Sequence, residues 1–170
     1  CVIDLPGGTL INHGEQHHPN ATLKLGSETP WPFTEDQQGN RVDASKISPK
    51  GARRYDMSYI ADMPEGWYAV TNSKLGVGFG VRWPKDVYKF LWYWQSFGGG
   101  YGYPFWGRTY NIGLEPFSSW TNQGIADATS NGTVMVLEPG EKVSSNVKAI
   151  AYEGSERVSR ITEDGEVLRQ

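Results

Sequence analysis

The strongest constraint on this chain is how often its β-forming runs are interrupted. From Tyr55 onward, turn-forming residues cut each run before it is long enough to make a substantial helix. Residues 56–60, 66–72, 76–83 and 88–95 read as successive strands. Asn72-Ser73-Lys74 and Pro84-Lys85-Asp86 stand between them as turns. Gly98-Gly99-Gly100 and Tyr101-Gly102-Tyr103-Pro104 make a glycine-aromatic loop, and a strand carrying Glu115 follows. Asn131-Gly132 predicts a hairpin turn leading into a strand over 133–137. Pro139-Gly140 turns into a strand over 142–152, and Asp164-Gly165 predicts a last small hairpin. Residues 1–50 are poor in periodicity and read as loops with at most one or two short strands. The expectation is a single all-β domain over residues 1–170, with no amphipathic helix of ten or more residues and no fixed-period repeat.

Composition sharpens that expectation. The chain holds 7 Trp, 9 Tyr and 6 Phe beside 21 Gly and 10 Pro, which suits many short strands and a cleft that grips flat rings such as sugars. A formal charge of -3 and the lack of any Lys/Arg run argue against nucleic acid as a partner. No apolar run approaches the roughly 18–20 residues that span a bilayer, so no membrane partner is expected. A single cysteine, Cys1, forms no internal disulfide, which fits a reducing compartment and a cytoplasmic location, while the sequons Asn20-Ala21-Thr22 and Asn131-Gly132-Thr133 leave a secreted protein open. The chain starts at Cys1 and not at Met, as a processed product or a piece of a longer protein would.

One carboxylate stands out. In Arg-Thr-Tyr-Asn-Ile-Gly-Leu-Glu-Pro-Phe (108–117), alternation puts Tyr110, Ile112 and Leu114 on one strand face and Thr109, Asn111, Gly113 and Glu115 on the other. The first face belongs on a core. The second is polar, with a glycine beside the acid that leaves room for something to approach. Glu115 there meets either solvent or a ligand. In residues 89–95, Phe90, Trp92 and Trp94 share one face and Leu91, Tyr93 and Gln95 the other. Both faces are largely aromatic, which predicts a central strand covered on both sides. The run is either simply a bulky core or a core whose end near Trp94 and Gln95 lines a pocket, where the Gln95 amide would bond hydroxyls. Arg108 is either a surface cation or part of the rim of such a cleft. It lies roughly 23 Å from Glu115 along an extended strand, too far for direct contact.

Other patterns carry less. His13, His17 and His18 cluster early, but only Glu15 stands near them as a further metal ligand, so they read as exposed loop histidines and no metal is expected. Arg53-Arg54 is the only adjacent basic pair and reads as a solvated turn; a phosphorylated ligand would want such a pair at one end of its cleft. No nucleophile elbow, phosphate-binding loop or dinucleotide fingerprint is present, and no cofactor is expected.

The stretch "LWYWQSFGGGYGYPFWGRTYNIGLEPFSSW", followed by "NGTVMVLEPGEKVSSNVKAIAY", resembles the C-terminal half of proteins of the aldose 1-epimerase, or galactose mutarotase-like, superfamily. The resemblance covers roughly residues 65–152 well and the first 60 weakly. It implies a galactose mutarotase-like β-sandwich (a supersandwich), here as a partial domain that closes by pairing with a second copy. It also implies an isomerase that interconverts sugar anomers, with Glu115 as the general base on a partly dry sheet face. Tyr93, Trp94, Gln95, Arg108 and Asn111 would bind the sugar. The family's acid is a histidine on a strand that would lie upstream of Cys1, and none of His13, His17 and His18 matches its motif. Two other readings stay open: a non-catalytic carbohydrate-binding β-sandwich, and a structural part of a larger polysaccharide-processing enzyme.

Overall fold

The computed structural model describes residues 1–13 and 20–170; His17 and His18 lie outside the described residues. Among the described residues the fold is all-β, built from antiparallel sheets with one short α-helix and one 3-10 turn over Lys50–Ala52. Its strands are β1 (Val2–Asp4), β2 (Thr9–Asn12), β3 (Ser27–Pro30), β4 (Phe33–Glu35), β5 (Arg41–Asp43), β6 (Arg54–Ala61), β7 (Trp67–Asn72), β8 (Val77–Arg82), β9 (Phe90–Phe97), β10 (Tyr110–Phe117), β11 (Lys148–Glu153), β12 (Val158–Ile161) and β13 (Val167–Arg169). The helix, α1, spans Ile125–Ser130. Contacts divide the chain into two compact units. One comprises Cys1–Gly8, Asp62–Phe90 and Pro116–Gln170; the other comprises Thr9–Ala61 and Leu91–Glu115. Among the described residues no helix is long and apolar enough to cross a membrane.

The first unit holds a four-stranded sheet in the order β1-β7-β8-β11. Alternation along β7 directs Trp67 and Ala69 to one face, where they pack with Val158 and Ile161 of the β12–β13 hairpin. Glycines on β8 make this packing possible. A Cβ on Gly78 would strike the Tyr152 ring at 2.1 Å, and one on Gly80 would strike Ile161 Cδ1 at 2.4 Å. The hairpin is tied down by a buried carboxylate: Asp4 accepts hydrogen bonds from Arg157 Nε at 2.6 Å and Val158 N at 2.9 Å.

The turn signal at Asn131-Gly132 has a different outcome from the expected hairpin. Gly132, at φ 75°, ends α1. Thr133 N donates to Ala128 O at 3.0 Å and Gly132 N to Thr129 O at 3.2 Å, the bond pair of a Schellman helix end. Residues 133–137 consequently leave a helix without a strand to pair with, and they form no regular element. The strand expected over 142–152 is confined to Lys148–Glu153, the part that pairs with β8. The described residues of 1–50 contribute five short strands, more than their weak periodicity predicts.

The second unit holds a five-stranded sheet in the order β10-β9-β6-β2-β3. Pairing places Asp56 opposite Gln95, Ser58 opposite Tyr93 and Ile60 opposite Leu91. These residues share one face with Leu10 and Phe97, and all are buried. The face is unusually polar, and its polar groups fasten the covering loops. Ser58 Oγ donates to Asn12 Oδ1, whose amide donates to Ser27 and Thr34. Tyr93 Oη donates to Ala44 O at 3.1 Å, and burial pushes its phenol pKa well up. Asp56 accepts from Thr22 N, Leu23 N, Thr22 Oγ1 and Arg54 Nε. Arg54 is therefore not part of a solvated turn, as its neighbour Arg53 is. Strand alternation carries it inward, where a carboxylate neutralises it.

Candidate functional site

The opposite face of this sheet is aromatic. Met57 pairs with Trp94 and Tyr59 with Trp92. The half-buried Trp94 ring meets Tyr55 at 6.0 Å and Phe105 at 5.5 Å, and Tyr55 meets Phe105 at 5.6 Å. These separations and tilted geometries are those of favourable aromatic pairs. Phe105 comes from the glycine-aromatic loop between β9 and β10. The loop closes on itself: Phe105 N and Trp106 N both donate to Gly102 O, and Gly107 N donates to Gly100 O. Gly100 lets it lie close, since a Cβ there would sit 3.0 Å from the Tyr55 ring.

Glu115 stands beside this aromatic cluster. A Cβ built on Gly113 would meet Glu115 Oε1 at 2.6 Å and Trp94 Cβ at 3.6 Å, so the acid, the glycine and the tryptophan share one face. The space left by the missing side chain is taken by the glutamate's own carboxylate. Glu115 and Asn111 are both exposed. On the other face of β10, Leu114 is buried, while Tyr110 packs against Phe97 and donates its hydroxyl to Ser48 O. Of the face expected on a core, only Leu114 is buried; Ile112 is half-buried and Tyr110 is 45% exposed.

The six residues singled out from sequence do not come together as one pocket. Trp94, Asn111 and Glu115 lie on the aromatic face. Tyr93 and Gln95, one residue either side of Trp94, point the opposite way by strand geometry and are fully buried. Gln95 Oε1 accepts from Arg54 Nη2 at 3.3 Å, and its Nε2 is buried with no partner among the described residues. Tyr93 packs edge-on to Trp31 and is committed to Ala44. Both belong to the core network. Arg108 is exposed just ahead of β10, its backbone N–H bonded to Phe105 O. Tyr55 and Phe105 complete the platform, and sequence reading did not single them out. The signal for Phe105 was its place in an aromatic run within a tight loop; Tyr55 becomes a partner only through the β6–β9 register.

Among the described residues, no group of three or more His, Cys, Asp and Glu side chains converges as a metal site. Comparison with protein-family models, with curated proteins and with solved structures yields no match.

Proposed function

We propose that the chain is a carbohydrate-active domain of the aldose 1-epimerase type, working at the Trp94–Glu115 face. The observation that carries this reading is one carboxylate at the edge of an aromatic platform, with no side chain between them. An indole face matches the apolar C–H face of a pyranose, while a carboxylate and the Asn111 amide match its hydroxyls. In this reading Glu115 takes the proton from the anomeric hydroxyl. The C1–ring-oxygen bond breaks, a proton from a second group goes to the ring oxygen, C1 rotates, and closure gives the other anomer. In the family the chain resembles, that second group is a histidine. A lone exposed Cys1 without a disulfide fits a reducing compartment such as the cytoplasm.

A binding module is the second reading, and the exposure of Glu115 favours it. An acid in contact with solvent accepts hydroxyl hydrogen bonds readily without acting as a base. Polarimetry or NMR of freshly dissolved α-glucose and α-galactose separates the two. Faster anomer exchange that Glu115→Gln abolishes supports the isomerase. Saturable sugar binding with unchanged exchange supports the module. No binding and no exchange sinks both.

A further inference from the structure

We infer that a second cleft on the same unit binds a saccharide carrying an anionic group, separately from the Trp94–Glu115 face. It is an open, shallow groove of about 590 Å³, lined by Lys50, Arg53, Gly98, Tyr101, Trp106 and Gly107. That volume lies within the usual range of small-molecule sites and exceeds the needs of one hexose ring.

Three observations converge on it. First, its charge is of one sign. Lys50 and Arg53 line it and no carboxylate does. Among the described residues neither cation has an ion-pair partner, unlike Arg54 next along the chain, which is held by Asp56. Second, its rings are presented rather than buried. Trp106 is 60% exposed and Tyr101 48%, whereas Phe105 turns from the same loop onto Tyr55 and Trp94. Third, its backbone is held in unusual conformations. Trp106 at φ 51° adopts the left-handed region; Gly98 and Gly107 do so at no steric cost, and Arg53 at φ 53° does so as the end of the 3-10 turn Lys50–Ala52. A bulky aromatic there is a true outlier, and burial of the ring does not explain it. Such conformations concentrate at functional sites, where the surroundings hold a side chain in place for a ligand. Here the loop's internal hydrogen bonds do the holding.

The chemistry selects the ligand. A guanidinium beside an ammonium matches a carboxylate or phosphoryl group, and two exposed rings match the apolar face of a pyranose. A uronic acid and a sugar phosphate both offer this combination. A nucleic-acid strand would stack on the rings too, but it needs a basic track along several phosphates, and the chain is net negative.

The test is calorimetric titration of the whole chain, with tryptophan fluorescence, using glucuronate, glucose 6-phosphate, glucose, inorganic phosphate and a short oligothymidylate. Either acidic sugar is expected to bind at least tenfold tighter than glucose, more weakly as salt rises, and at least tenfold more weakly in Arg53→Gln and in Trp106→Ala. The tighter of the two assigns the carboxylate or the phosphoryl group. Lys50→Gln, at an exposed position, provides a second charge deletion should either variant fail to fold. The salt-dependent component of binding that Arg53→Gln removes should persist in Glu115→Gln, whereas sugar binding at the Trp94–Glu115 face should not, so failure of the isomerase reading and failure of this one are separable. Equal affinity for glucose, equal affinity for inorganic phosphate (an adventitious ion only), tighter binding of the oligonucleotide, or indifference to Arg53→Gln would each overturn the assignment.

Discussion

Glu115 folds its carboxylate back over Gly113, with its Oε1 2.6 Å from the point where an alanine methyl would stand. The atom in the way is the far end of a flexible side chain, so Gly113→Ala should displace the acid without disturbing the sheet. We expect unfolding free energy to change by less than about 0.5 kcal/mol. Sugar affinity or anomer exchange at this face should change clearly. Denaturant titration and NMR exchange on one preparation measure both. A variant that behaves as wild type in the sugar assays would remove Glu115 from the site.

Trp94 separates support of the fold from support of a ligand. It contacts Tyr55 and Phe105 and is only half-buried, so Trp94→Ala should cost about 2–3 kcal/mol, below the cost of removing a fully buried aromatic. Trp94→Phe should recover most of that stability while losing much of the sugar affinity, about tenfold or roughly 1.4 kcal/mol. Equal affinity in Trp94→Phe and wild type would mean that the indole is packing alone.

Asp56 is the anchor of the second unit's core. Removing it strands Arg54, Thr22 N and Leu23 N in a buried place. Asp56→Ala should therefore destabilise by about 3–5 kcal/mol. The double replacement Arg54→Met with Asp56→Leu should cost less than the sum of its single variants, because neither charge is left alone. Additive losses in chemical denaturation would show that the pair is not coupled.

Acid stability should report on Glu65. Burial pushes its pKa up, but hydrogen bonds from Arg82 at 2.8 Å and from Arg160 outweigh that and hold the carboxyl below its ordinary value of 4.5. The folded state thus favours the charged form. Its contribution is complete above the unfolded value and is lost as pH falls through the folded one. Glu65→Gln should be less stable than wild type at pH 7, and the gap should close below pH 4.5. A gap that is constant with pH would show that the ion pairs contribute nothing through titration.

Legibility followed the range of the forces involved. Residues 56–60, 66–72, 76–83 and 88–95 were readable as strands because alternation and turn chemistry are local, and β6 to β9 match them within a few residues. The same logic failed at 133–137, where β-forming residues find no neighbouring strand. It failed also at Asn131-Gly132, since a left-handed glycine serves a hairpin and a helix end equally well. Gln95 and Trp94 are adjacent in sequence, and their own alternation already put them on opposite faces. Which face was sealed depended on strand β4, which carries Thr34, and on the loops that carry Thr22 and Ala44.

The sequence by itself determined an all-β chain and the alternation of side chains in residues 89–95 and 109–115, because both follow from period two and from residues that must turn. Tertiary structure alone decided which face became core and which kept Trp94 beside Glu115. It also decided that Arg54 would be buried while Arg53 stayed out. Those outcomes depend on partners tens of residues away, and no local pattern encodes which partner arrives.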